Sequence, residues 1–391
     1  MFPELLAPVG DMKRLDVAIA YGADAVYLSG KTLGMRAACK NFDSGELAAA
    51  AKKVHACGKK LYVTLNIFLF DEDFDGVDEY LDFLSGIAVD GVIVSDLGLI
   101  ERITKRTRLD VHVSTQANVT NAAAARHYAE LGAKRIVLAR ELSLDRIASI
   151  RAKLDNTIEL EAFVHGAMCI SYSGRCLLSA YTTGRSANRG TCNQQCRMRF
   201  TPENSPEAFE FVEDDGTYIF GGNDLNMIEH LQDLVDAGIA SFKIEGRVKS
   251  EYYVGCVVNA YRHALDSVIR GEPVPGAYVR ELYKAPNRGF NTGFYFGTPV
   301  PDTNIAPYGE FCAIAVERTE RGTVFEMRNR FKTGDRLEVL SPNVAPDTEI
   351  EVPVMLDESG ETCLDAKVPM CRVLFPNVEL PEFTMLRRMP D

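Results

Sequence analysis

Four cysteines in one short stretch are the residues of this chain best placed to do chemistry. They are Cys169, Cys176, Cys192 and Cys196, with six, fifteen and three residues between successive members. Thiolates hold Zn²⁺ or an iron–sulfur cluster. In a reducing compartment, clustered cysteines point to metal binding or catalysis rather than to disulfides. Structural zinc favours tight pairs with about two to four residues between the thiols. The first gap here is wider, and iron–sulfur ligands tolerate more varied spacing. The spacing leans to a cluster and leaves zinc open. Cys39, Cys57, Cys256, Cys312, Cys363 and Cys371 are scattered and read as small buried hydrophobes.

The same stretch is basic. Arg175, Arg185, Arg189, Arg197 and Arg199 follow Cys169 with no acid among them, and carboxylates return only in PENSPEAFEFVEDDG (202–216). The formal net charge of −12 argues mildly against nucleic acid as a partner. Local charge matters more. The arginines read either as a solvated loop or as a seat for an anion or RNA backbone near the metal, and the missing acids favour the second.

These residues need a scaffold. The 391 residues, 46% of them hydrophobic, suit one large soluble domain and a smaller one. No apolar run reaches the roughly 20 residues that span a bilayer, so no membrane partner is expected. MFPELLAPVGDMKRLD lacks the pattern of a secretory leader, and a cytoplasmic protein is the expectation. Short apolar runs at 4–9, 24–29, 60–66, 91–96, 110–116, 135–140, 158–166 and 241–247 alternate with amphipathic stretches. Eight such units predict an α/β fold, a TIM-type (β/α)8 barrel, with an open doubly wound sheet as the alternative. Residues 1–300 form the barrel, which carries the four-cysteine insert at 167–200. Alternating short strands over 303–391 predict a small all-β, β-barrel-like C-terminal domain. In that frame the cysteines follow the seventh strand and emerge at the C-terminal face, where such barrels keep their chemistry.

Strand alternation adds candidates. One face of each strand is apolar; the other carries Glu159, Glu161, Phe163 and His165, or Lys243, Glu245 and Arg247, or Thr64 and Asn66, or His112, Ser114 and Gln116. Polar groups inside a barrel must pair with each other or meet a ligand. A mutually satisfied network, such as Glu161 with Arg247 or Lys243 with Glu245, is the structural alternative to a binding site. The placement of His165 and Glu161 near Cys169 suggests proton transfer. Arg197, Lys243 and Arg247 suit a carboxylate clamp, and Glu245, Gln116 and Asn66 complete the substrate-binding set.

The stretch EAFVHGAMCISYSGRCLLSAYTTGRSANRGTCNQQCR resembles the signature of the U32 family, long labelled collagenase-like peptidases. ELLAPVG, HVSTQAN, RELSLDRI and FKIEGRVKSEYYV resemble it too, so the likeness covers essentially the whole chain. Within the family, GEFCAIAVER and NRFKTGDRLEVLSPN are most similar to the tRNA uridine 5-hydroxylation branch. That resemblance implies hydroxylation of the wobble uridine of tRNA, with prephenate as co-substrate and source of the hydroxyl. It also implies an iron–sulfur cluster, of the 4Fe-4S kind, on Cys169, Cys176, Cys192 and Cys196. A ligand that some branches draw from the segment before the eighth strand is missing here, since GGNDLNMIEHL has no cysteine. The linker after Cys196 is also shorter than in some relatives. An electron-donor or partner protein is a further expectation.

Three other readings stand beside this one. Sister branches hydroxylate an rRNA cytidine or the ubiquinone ring. Proteolysis has little support: H-E-x-x-H and G-x-S-x-G are absent, and the single DSG, Asp43–Gly45, reads as a helix cap. Cys169 with His165 is the one cysteine-peptidase pairing available. A zinc-stapled RNA-binding module without catalysis leaves the polar lumen unexplained.

Overall fold

The computed structural model describes residues 2–36, 40–198, 222–300 and 307–390. Cys39, Arg199 and the acidic run at 202–216 lie outside the described residues, as does the expected domain boundary at 301–306.

Eight parallel strands close into a barrel. They are β1 (Glu4–Pro8), β2 (Ala25–Leu28), β3 (Lys60–Leu65), β4 (Gly91–Val94), β5 (Asp110–Val113), β6 (Ala133–Val137), β7 (Glu159–Ala167) and, after an intervening β8 (Asp224–Asn226), β9 (Ser241–Ile244). Strand β9 pairs with both β7 and β1, so the sheet is closed and the open-sheet alternative falls. Helices follow most strands. Those starting at Met12, Ser44, Leu97, Ala122, Leu144 and Glu251 are each capped by the Asp, Asn or Ser before them. Asp43 and Glu46 form a capping box, which accounts for the DSG triplet.

The alternation divides the core. Leu5, Ala7, Val26, Leu28, Leu61 and Val63 face the helices within the main hydrophobic cluster. The lumen holds a separate small cluster of Leu6, Ala25, Tyr27, Tyr62 and Ile93. Much of the rest of the lumen is polar, as the strand sequences require.

Two short strands were not evident in the sequence. Strand β8 runs antiparallel to the end of β7, with His165 opposite Asn226, and a two-residue β10 (Phe290–Asn291) pairs with β8. At the crossing, Gly166 has φ +103°, and a Cβ there would stand 2.4 Å from the Glu245 carbonyl oxygen. Only glycine lets β7 turn away so close to the chain leaving β9.

From Glu310 the chain is all β. Eight antiparallel strands form one sheet over its own core, with a separate two-stranded pair. Among the described residues the strand pairing runs edge to edge, and the sheet curls over that core as the small all-β, β-barrel-like domain expected. It sits firmly on the (β/α)8 unit. Buried Arg387 pairs with Glu281 and with Glu338, both at 2.8 Å, and the Tyr21 hydroxyl contacts the carbonyls of Leu340 and Phe383 at 2.9 Å.

Candidate active site

The C-terminal mouth of the barrel opens on a cavity of about 140 Å³. Cys169, Cys176, Cys192 and Cys196 all border it, as do Asn66, Gln116, Lys243, Glu245 and Arg247. Nine of the twelve residues expected at the site therefore share one cavity.

The cysteine loop is fastened across the mouth. Phe68 N–H donates to the Asn188 carbonyl at 2.9 Å, and Asn188 Nδ2 donates to the Cys176 carbonyl at 3.1 Å. Arg189 grips Asp73 at 2.6 and 3.0 Å and lies over the Phe70 ring. This arginine is a strap, not an anion seat. On the other side Ser173 N–H donates to Glu141 Oε1 at 3.0 Å. Gly174 packs so close to Gln116 that a Cβ would stand 2.3 Å from its carbonyl oxygen.

Cys196 has Cys169 and Cys192 nearby. Burial raises the pKa of Cys196, as do Cys169 and Cys192, while Arg197 opposes them. Cys192 Sγ lies 3.8 Å from Ser179 Oγ and accepts the Gln194 backbone N–H at 3.4 Å. Among the described residues no three His, Cys, Asp or Glu side chains are drawn together as a ligand set. The donor chemistry suits a soft metal or a cluster: four thiols border one cavity, and a backbone N–H is already aimed at one sulfur.

Cations line the same cavity. Arg247 donates to the Met35 carbonyl at 2.8 Å and to Asn41 Oδ1 at 2.6 Å. Arg140 donates to the Ala167 carbonyl at 2.9 Å and lies 5.0 Å above the Phe163 ring. Arg36 pairs with Glu245 at 3.0 Å. Burial pushes the Glu245 carboxyl up, but Arg36, Arg140 and Arg247 outweigh it and hold it below the usual range. Asn66 accepts the Met35 N–H at 3.1 Å and donates to Ser114 Oγ at 3.1 Å.

Lower in the lumen the charges close on themselves. Lys243 Nζ donates to Glu161 Oε1 at 2.7 Å, and Arg135 bridges Glu161 at 3.2 Å to Glu4 at 2.7 Å and Glu159 at 2.8 Å. Burial works against ionisation of Glu161, yet Lys243 and Arg135 prevail and its pKa is lowered. Such a carboxylate is a structural counter-ion and a poor proton carrier. The network expectation thus holds for Glu161, with Lys243 and Arg135 as partners instead of Arg247.

Two expected residues stand elsewhere. The pairing of β7 with β9 shifts register between Phe163 and His165. Phe163 stays on the cavity wall, and His165 turns outward among Tyr253, Tyr261 and Phe290. Burial lowers its pKa to about 3, with Lys249 adding to the effect and Asp224 opposing it. It is off the cavity and not paired with Cys169 for nucleophilic chemistry. Arg197 is also off the cavity wall, beside Cys196, Arg288 and Asp224, its pKa lowered by burial and by Arg288. The cations the sequence reading missed are Arg36 and Arg140. Both lie in loops past strand ends, where no periodicity marks them.

The sequence model of peptidase family U32 matches residues 10–304, and that of the U32 C-terminal domain matches 309–387. The chain belongs to peptidase family U32. It is 36% identical over 390 residues to tRNA hydroxylation protein P1 of Bacillus subtilis, covering 95% of this chain and 91% of that one. It is 44% identical to an uncharacterized protease of Methanocaldococcus jannaschii, over 75% of this chain and 73% of that one. It is 38% identical to the 23S rRNA 5-hydroxycytidine C2501 synthase of Escherichia coli, over 68% of this chain and 40% of that one. The two families of name, protease and hydroxylase, make different demands on the site. Among the described residues the U32 domain shows no cysteine–histidine pair at the cavity.

Proposed function

We propose that this chain is a tRNA hydroxylase that adds a hydroxyl group at C5 of the wobble uridine, dependent on an iron–sulfur cluster and on a prephenate-derived donor. The observation that carries this reading is the shared cavity wall: four thiols and Arg36, Arg140 and Arg247 line one space of about 140 Å³. The near-full-length likeness to a tRNA hydroxylation protein supports it.

The chain's own groups divide the work. Arg140, which donates to the Ala167 carbonyl beside the cavity, offers charge-assisted hydrogen bonds to the carboxylates of a dianion, and Arg247 lines the same cavity. Phe163 and Tyr27 border the cavity, with Arg140 over the first ring and Lys243 over the second, so their rings help to position these cations. Asn66 and Gln116 each present amide donors and acceptors of the kind that read a uracil edge. A cluster on Cys169, Cys176, Cys192 and Cys196 would supply electrons or a Lewis-acidic iron at the same wall.

The test is anaerobic purification with iron, sulfide and zinc analysis of the wild type and Cys192→Ser, followed by mass spectrometry of tRNA nucleosides from cells lacking the gene. Iron and sulfide in the wild type, lost in the variant, together with hydroxylated uridine restored by the wild type alone, is the expected result. Zinc alone, with no change in tRNA, would sink the redox reading and leave a stapled binding module.

A further inference from the structure

Large side chains stand in solvent on the cysteine loop. Tyr181 is 92% exposed, Leu177 72%, Tyr172 61% and Ile170 53%. Exposed aromatic groups gathered on one loop mark a contact surface. Arg175 and Arg185 are exposed on the same loop and make no ion pair among the described residues. From Ala162 to Pro202 there is no Asp or Glu, in a chain whose net charge is −12. Open aromatic faces, free guanidiniums and no carboxylate match a polyanion with unstacked bases. Single-stranded RNA has that chemistry.

Tyr172 gives this rim its direction. Its ring borders the cavity and remains open to solvent. A uridine that enters the cavity must leave its base stack. Its neighbours then need new stacking partners at the mouth.

We infer that this rim is the docking surface for the unpaired loop of the substrate RNA: bases flanking the target stack on Tyr172 and Tyr181, and their phosphates meet Arg175 and Arg185. The inference rests on the tRNA reading above and assigns its binding surface. Tyr181 is the decisive residue, because a ring so exposed can be changed without disturbing the fold.

The experiment measures affinity of the full-length protein for a synthetic anticodon stem–loop RNA, with KM and kcat for that RNA. Tyr181→Ala is expected to weaken binding roughly tenfold, in KM with kcat retained, while Tyr181→Phe keeps wild-type affinity. Arg185→Gln is expected to lower the slope of log affinity against log salt by about 0.7. A wild type that binds and hydroxylates the RNA, beside Tyr181→Ala and Arg185→Gln variants with unchanged KM and salt slope, overturns the docking surface and leaves the tRNA reading intact. A wild type that neither binds nor modifies the RNA overturns both. If the rim variants instead lose only a protein electron donor, the surface belongs to that partner and the inference fails.

Discussion

The two ends of the barrel lumen use the same residue types to opposite effect. At the lower end Glu4, Arg135, Glu159, Glu161 and Lys243 form one chain of ion pairs. At the mouth Arg36 pairs with Glu245, whose carboxylate Arg140 and Arg247 also hold ionised, and these two donate as well to carbonyl, amide and hydroxyl oxygens. The chain at β9 serves both ends: Lys243 joins the lower network, and Glu245 and Arg247, just past the strand, reach the mouth. A buried charge without a matching counter-ion is costly. The lower end therefore holds the barrel together, and the mouth is where the proposed anionic co-substrate would meet Arg140.

The sharpest way to break that comparison is to remove one charge from each end. Glu161→Gln leaves Lys243 buried without a counter-ion, and removal of one partner from a buried pair costs about 3–5 kcal/mol. A clearly lower unfolding midpoint in urea is expected; an unchanged midpoint would show that the lower network is not structural. Arg140→Gln is the matched change at the mouth. It gives up a cation–π contact worth about 0.5–1 kcal/mol, so the midpoint should barely move. Hydroxylation should fall roughly tenfold or more through KM for the anionic co-substrate, since a charge-assisted hydrogen bond contributes about 1.5–3 kcal/mol. Normal kinetics in Arg140→Gln would remove the anion from that side of the cavity.

Acid sharpens the contrast by a smaller amount. Glu161 and Glu245 both have pKa values below their ordinary range. Their folded forms bind fewer protons than the unfolded chain, so the stability they contribute is present above about pH 4.3, the unfolded carboxyl value. It is lost as pH falls through the lowered folded values. Thermal unfolding of the wild type and Glu245→Gln should differ at neutral pH and converge toward acid. A constant difference across the range would mean that Glu245 is not held ionised by Arg36.

Much of this was legible in the sequence because strands impose a period of two. That period placed Asn66, Gln116, Lys243, Glu245 and Arg247 on one side, and the structure brings all five to the cavity. It carried further than the strands themselves: β5 ends at Val113 and β9 at Ile244, yet Gln116 and Arg247 still face inward. The cysteines were legible by residue type. Arg36 and Arg140 were not, because loop residues have no period and their guanidiniums are placed by tertiary contacts. Strand β8 has three residues, too few for a pattern to show.

His165 is where the period failed, and it gives the finest test. Counting by twos from Glu161 puts it in the lumen beside the thiols. The register shift after Phe163 spends one residue without advancing the pairing, so His165 exits on the helix side. There the Tyr261 hydroxyl, which donates to the Val164 carbonyl at 2.7 Å, lies 3.4 Å from His165 Nδ1. Phe290 and Tyr253 close around the ring. With a pKa near 3 the imidazole is neutral under working conditions and a weak base. A phenyl ring fills nearly the same volume and keeps the aromatic contacts. His165→Phe should therefore retain hydroxylation within about twofold and shift stability by about 1 kcal/mol or less. A folded His165→Phe protein without activity would return this residue to the chemistry and place the active face of β7 on the side the bulge turns away from the cavity.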